Sequence, residues 1–329
     1  MDLLLVVVGA AILIGGGELL VRGAAALARA LGVSAMIVGL TVVAMGTSAP
    51  ELVVSGLAAY RSNPGICVGN VVGSNILNVL LVLGATAVIY PLQARADFVR
   101  REVPFMVCIT ALFLVLASFD VMPHEWASGE GFRITRAEAV LLCVLLISYL
   151  LWTIRIARRE SAQIKEEFKD EQAPWMLRSI LLDGVLILLG LACLGGGSEL
   201  FLRGAIGIAK GFGVSDALIG LTLVALGTSF PELAACIVAA YRKHPDICLG
   251  NLIGSSIFNI LAIAGISGLI RPLPVEKQMA HIHVPVMLGA ALLVWGMVAS
   301  GFRISRREGV ILLICYAAYM GWTLYQQMG

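Results

Sequence analysis

Residues 32–92 recur at 213–273 without a gap, offset by 181 positions, with about half of the aligned residues identical. Agreement is densest in two places. Thr41–Leu52, TVVAMGTSAPEL, lies over Thr222–Leu233, TLVALGTSFPEL; Gly69–Asn78, GNVVGSNILN, lies over Gly250–Asn259, GNLIGSSIFN. Glu18 and Glu199, Arg22 and Arg203, and Pro104 and Pro285 keep the same offset. Phe132-Arg133-Ile134 falls on Phe302-Arg303-Ile304 once eleven residues of a loop are dropped. A repeat of this length means that one structural unit is built twice and packed against itself.

Each copy carries five apolar stretches, ten in all: 3–21, 36–60, 66–90, 103–119, 137–154, 180–202, 217–241, 247–270, 284–299 and 308–325. Crossing about 30 Å of hydrocarbon takes about 20 helical residues. Two stretches, 103–119 and 284–299, are short, and four are long enough to tilt or bend. Composition agrees with membrane burial. Apolar residues make up 59% and charged residues 13%, against roughly 45–50% and 25% in soluble domains. Mean hydropathy is +0.94, so too little polar side chain exists to coat a water-facing surface. The runs are continuous instead of alternating, which favours helices over a barrel. The first stretch opens with Met-Asp instead of a basic segment, and is expected to stay as a span and not to act as a signal peptide. The expected fold is all-α: a polytopic membrane protein with ten transmembrane helices.

Five is odd, so the second copy must enter the membrane from the opposite side. The copies are expected to form inverted repeats about a pseudo-two-fold axis in the membrane plane, at 1–154 and 180–329, joined by a linker at 155–179. Such a pair gives one sequence two near-equivalent packings, each open to one side, which suits alternating access. With the N-terminus outside, 16 of the 23 Lys and Arg lie on inner connections and 7 on outer ones. That asymmetry predicts both termini outside and the linker cytoplasmic, in the inner (cytoplasmic) membrane. The linker is too short and too mixed in charge to fold as a regulatory domain.

Glu51 lies about fifteen residues into the second stretch, roughly 22 Å along a path of about 36 Å. Glu232 occupies the equivalent depth in the seventh. A carboxylate there costs at least about 2.5–3.5 kcal/mol and needs a cation, a proton or a partner. Neither stretch offers Lys or Arg at that depth. Pro50 and Pro231 precede the glutamates. Proline removes the bond to the carbonyl four residues back, here Gly46 and Gly227. Gly46-Thr47-Ser48 and Gly227-Thr228-Ser229 therefore read as broken helix with free carbonyls and two hydroxyls beside a carboxylate, tolerated only where it lines a cavity or binds something. In the third and eighth stretches Asn70, Ser74 and Asn78, and again Asn251, Ser255 and Asn259, fall at i, i+4, i+8 on one helix face. Gly69, Gly73, Gly250 and Gly254 run alongside, allowing close helix approach.

Every group in this set is a hard oxygen donor, and no His or Cys lies at the matching depth, which disfavours zinc or copper. Carboxylates, hydroxyls, amides and loose carbonyls suit calcium, which takes six to eight oxygens in flexible geometry. Sodium uses similar oxygens, and protons would neutralise the carboxylates directly. These ions are read as cargo; no cofactor and no enzymatic activity are expected.

The paired GTSxPE and GN(x)₂GS(x)₃N motifs resemble those of the Ca²⁺:cation antiporter superfamily, specifically bacterial calcium/sodium antiporters related to sodium/calcium exchangers, over essentially the whole chain. The resemblance implies a core of spans two, three, seven and eight, past which the first and sixth helices slide. It implies calcium ligands at Glu51 and Glu232 and the carbonyls of Thr47 and Thr228. Sodium sites would add Ala44, Ser48, Ser74, Ala225, Ser229 and Ser255, with Asn78 and Asn259 completing the centre. Family members often carry aspartate at one of the last two positions; here both are Asn, leaving two carboxylates and opening the sodium stoichiometry and any potassium co-transport. Asn75 is matched by Ser256, a break in the symmetry of the repeats.

The leading function is exchange of Ca²⁺ for Na⁺, with Ca²⁺/H⁺ exchange as the alternative. A channel would need a continuous pore, usually built by oligomeric symmetry, and an intramembrane hydrolase lacks a nucleophile. Partners are the bilayer and the transported cations; no basic stripe points to nucleic acid, and no protein partner is implied. Seven cysteines, all in or at the edges of apolar stretches, read as packing residues. Glu18/Arg22 and Glu199/Arg203 read as i, i+4 salt bridges. His281 and His283 form a loop H-x-H with a weak claim to a metal.

Overall fold

A computed structural model of the chain describes residues 1–118, 131–167, 175–212 and 225–328. Helix α1 runs Asp2–Leu31. The second stretch forms two helices, α2 (Ala35–Thr47) and α3 (Ala49–Tyr60), bent by 44°. Next come α4 (Gly65–Ile89), α5 (Ala96–Ser118) and α6 (Arg136–Glu167). Helix α7 spans Trp175–Gly211. The described part of the seventh stretch holds α8 (Ala225–Gly227) and α9 (Phe230–Tyr241); its beginning, 217–224, lies outside the described residues. Helices α10 (Pro245–Ile270), α11 (Met279–Gly301) and α12 (Arg306–Met328) complete the chain. Eight of these helices are long and apolar enough to cross a membrane, nine spans with the bent pair.

The two short apolar runs belong to longer helices than hydropathy suggested. Both α5 and α11 have 23 residues, because their first turns are polar: Asp97, Arg100, Arg101 and Glu102 in one, His281 and His283 in the other. Glu102 is tolerated inside because Tyr149 on α6 donates its hydroxyl to it at 3.2 Å. Much of the predicted linker is also helical, since α6 continues to Glu167 and α7 begins at Trp175.

The long helices α1 and α7 pack antiparallel along a glycine seam. Gly9 faces Gly197 and Phe201, Gly16 faces Gly190 and Leu194, and Gly204 faces Asp2 and Val6. Gly9, Gly16 and Gly23 map onto Gly190, Gly197 and Gly204 under the repeat offset, so the seam is symmetric about its own middle. A Cβ at Gly190 would stand 2.6 Å from the Leu20 backbone nitrogen; glycine is what lets these backbones meet. The expected Glu18–Arg22 and Glu199–Arg203 pairs are present, and Arg242, just beyond α9, joins Glu18 at 2.6 Å.

Short strands that hydropathy did not reveal lock the copies together. Strand β1 (Leu92–Gln93) pairs with β4 (Arg303–Ile304), and β2 (Gly131–Ile134) with β3 (Leu273–Glu276), both antiparallel. Each ribbon joins one repeat to the other, and Leu92↔Ile304 is the symmetry mate of Ile134↔Leu273. After β2 and β4 the sequences T-R-A-E and S-R-R-E form capping boxes. Glu138 accepts from the Thr135 backbone N–H at 2.7 Å, and Glu308 from that of Ser305 at 2.7 Å.

Burial sorts the helices. The most apolar 18-residue windows are 83% buried in α10 and 72% in α4, against 11% in α12. Exposed Leu3, Leu4, Val7, Leu181, Leu188 and Ile314 lie on the outer helices, where a bilayer replaces water as their solvent. The centre of the molecule is therefore α4 and α10, crossed by the two broken stretches.

Candidate cation site

Both helix breaks fall where proline predicts them. Ser48 leaves helical geometry at φ −84°, ψ 4°, and Ser229 at φ −96°, ψ 6°. Pro50 and Pro231 sit in the first turns of α3 and α9, where a missing N–H costs nothing. Each glutamate thus lies in the first turn of a new helix, near its positive end. Glu51 and Glu232 are each 1% exposed.

The breaks interlock. Ser48 Oγ donates to Glu232 Oε1 at 3.1 Å, and Ser229 Oγ donates to Glu51 Oε1 at 3.4 Å. Thr228 also lies against Glu51, and Thr47 against Glu232. Each repeat's serine hydroxyl therefore supports the other repeat's carboxylate, with the threonine alongside, which brings Glu51, Glu232, Thr47, Thr228, Ser48 and Ser229 to one place.

The polar stripe divides in two. Asn70 donates to the Glu51 carbonyl at 3.2 Å and to Ser55 Oγ at 2.9 Å, while its Oδ1 accepts from Ser74 at 3.4 Å. Asn251 accepts from Thr47 Oγ1 at 3.1 Å. These two amides hold the broken stretches against α4 and α10. Asn78 and Asn259 differ: both lie in or at the start of π-helical turns, Leu77–Val82 and Asn259–Ala264, the kind of widened turn that re-aims side chains at functional sites.

Five buried side-chain oxygens or nitrogens lack a hydrogen-bond partner among the described residues: Glu51 Oε2, Glu232 Oε2, Asn78 Oδ1, Asn259 Oδ1 and Ser267 Oγ. With the glutamates ionised the first four are acceptors only, and they form two symmetry-related pairs. Leaving one such group unsatisfied costs about 1–3 kcal/mol, more when it is charged. The deficit in this centre is of positive charge. Two glutamates and two amide oxygens are hard donors of the kind calcium and sodium take.

The remaining predicted residues are placed as follows. The Ala44 carbonyl accepts from Ser255 Oγ at 3.5 Å, joining those two groups. Ser74 turns to Asn70 within its own helix. Ala225 opens α8, where only its backbone is described. Of the two carbonyls expected to be free, that of Gly227 is not: Ser198 on α7 donates to it at 2.6 Å. The matching position on α1 is Gly17, which brings no hydroxyl to Gly46. In the H-x-H, His281 Nδ1 lies 2.9 Å from the Lys277 carbonyl and His283 Nδ1 2.8 Å from the Tyr319 hydroxyl, so the rings serve different partners.

Sequence reasoning missed three things here: the Ser198 cap, the division of the stripe, and the tie between Asn259 and Asn75. Only the last left a visible trace, the Asn75/Ser256 mismatch.

The sodium/calcium exchanger protein family matches residues 1–155 and 183–325. The putative antiporter CaxA of Alkalimonas amylolytica is 38% identical over 287 residues, covering 84% of each chain. The sodium/calcium exchanger MaX1 of Methanosarcina acetivorans is 32% identical over 299 residues, covering 84% of this chain and 85% of its own. Among solved structures, the sodium-calcium exchanger NCX_Mj superposes with a TM-score of 0.81 at 31% identity, over 97% of this chain and 98% of its own.

Proposed function

Because the chain belongs to the sodium/calcium exchanger protein family of membrane cation antiporters, we propose that it exchanges Ca²⁺ for Na⁺ by alternating access at a site built around Glu51 and Glu232. One observation carries the reading: the four unpaired buried oxygens are contributed as equivalent pairs by the two repeats. A divalent ion seated there neutralises both carboxylates and meets both amide oxygens. The carbonyls of Thr47, Thr228, Ala44 and Ala225 and the hydroxyls of Ser48, Ser229, Ser74 and Ser255 would supply calcium and sodium sites around it.

Exchange follows from the charge. Two carboxylates without a counter-ion are expensive to carry between the two access states, so one cargo leaves only as another replaces it. If three Na⁺ replace one Ca²⁺, one net charge moves per cycle, worth about 2.3 kcal/mol per 100 mV. The protein would sit in the cytoplasmic (inner) membrane with both termini outside, as the Lys/Arg asymmetry suggests.

A second reading has its own support. With Asn at both positions 78 and 259 the centre holds two carboxylates, which two protons would neutralise as fully as one Ca²⁺. Radiocalcium flux into proteoliposomes separates the readings. Sodium coupling predicts uptake driven by a Na⁺ gradient and unmoved by a pH gradient alone; uptake that needs only the pH gradient replaces it with proton coupling.

A further inference from the structure

At one buried position beside the site the repeats carry polar side chains of different reach. Asn75 in the first copy is Ser256 in the second. Asn259 donates through Nδ2 to Asn75 Oδ1 at 3.2 Å, and Asn75 donates through its own Nδ2 to Met287 Sδ on α11 at 3.6 Å. All three side chains are at most 2% exposed.

An amide has two faces of opposite polarity, and a thioether sulfur accepts but never donates. Met287 therefore draws the NH₂ of Asn75 and leaves the Asn75 oxygen toward Asn259. That oxygen draws the NH₂ of Asn259 in turn and leaves Asn259 Oδ1 as the unpaired atom. The reverse setting would present an NH₂, with its partial positive charge, to a cation.

We infer that Met287 and Asn75 form a positioning relay that fixes Asn259 with its oxygen presented to the bound cation, making Asn259 a preset ligand. Among the described residues Asn78 has no such support. At the equivalent of Asn75, the Ser256 hydroxyl donates to the Leu252 carbonyl of its own helix at 2.9 Å. The two amides of the centre are thus inequivalent: one is oriented before the ion arrives, and the other is oriented by the ion. The inference rests on the cation site proposed above and adds a residue that acts on it from outside.

The test is equilibrium radiocalcium binding to the purified full-length protein in detergent. Asn75→Ser, the residue of the other repeat, should weaken Ca²⁺ binding about 10–100-fold, the range seen when a ligand loses its supporting partner. In an Asn259→Asp background the same change should not weaken binding, because a carboxylate has two equivalent oxygens, no wrong face to present and no N–H for the Asn75 oxygen to hold. An unaltered affinity for Asn75→Ser alone, or an equal loss in both backgrounds, would overturn the relay. Should Asn75→Ser not fold, Met287→Leu decides: it keeps the packing volume and removes the acceptor, so weaker binding supports the relay and unchanged binding overturns it. Glu51→Gln measured alongside separates the two claims. If Glu51→Gln binds like the parent, the site itself is wrong; if it abolishes binding while Asn75→Ser does nothing, only the relay fails.

Discussion

Ser48 donates its hydroxyl to Glu232 across the boundary between the two repeats, 3.1 Å from Oγ to Oε1. The pair ties a helix break in one half to the carboxylate of the other, and Ser229 returns the arrangement to Glu51. Neither glutamate is held by its own repeat's serine. Any movement of one half relative to the other would alter both carboxylates together, as the proposed alternating access of a shared site requires.

From this relationship, Ser48→Ala and Ser229→Ala should each leave a buried carboxylate oxygen short of a donor, at about 1–3 kcal/mol. We expect the Na⁺ concentration for half-maximal exchange to rise roughly tenfold in each, with expression and monodispersity kept. Steady-state flux against Na⁺ concentration checks it; parent-like sodium dependence in both variants would remove the serines from the site.

The glycine seam makes a sharper structural prediction. Gly190→Ala puts a methyl 2.6 Å from the Leu20 backbone, and overpacking of that kind costs about 1–3 kcal/mol. Gly195, on the same helix, has nothing within 4 Å of the added carbon. Gly195→Ala should be neutral or stabilising by helix propensity, up to about 1 kcal/mol. Thermal unfolding of the two variants in one detergent should separate them; equal melting temperatures would mean that α1 and α7 do not pack as described.

The two capping boxes should behave as twins. Thr135→Ala and Ser305→Ala each remove a side chain that bonds the first turn of a helix following a cross-repeat ribbon. Each is expected to lower stability by about 1 kcal/mol, read as a shift of the thermal midpoint. A large loss in one and none in the other would break the symmetry claimed for these ends.

Much of this was readable from the chain because the signals are local or repeated. The breaks follow from Pro50 and Pro231, whose missing N–H acts on the turn beside them. The burial of Glu51 and Glu232 agrees with their place well inside an apolar stretch. What escaped depends on partners far apart in sequence. Ser198 reaches the Gly227 carbonyl 29 residues away, and nothing in a lone serine announces which carbonyl it will find. The ribbons are two to four residues long, too short for a period-two pattern to emerge from apolar surroundings. In the sequence the polar stripe reads as one set, yet the amide oxygens of Asn70 and Asn251 accept from neighbours while those of Asn78 and Asn259 are unpaired. Spacing places amides on a face; only the packed structure says which oxygen is left over. The short apolar runs misled for another reason: hydropathy ends where charge begins, whereas helices α5 and α11 begin one or two turns earlier.

In the proposed exchange Glu51 and Glu232 bind one cation together. Radiocalcium exchange in proteoliposomes, with equilibrium binding on the same preparations, should be measured for Glu51→Gln and Glu232→Gln, each of which removes one charge and keeps the shape. Loss of both exchange and binding in either variant, with folding intact, is the predicted result. Exchange at the parent rate in one of them would contradict it.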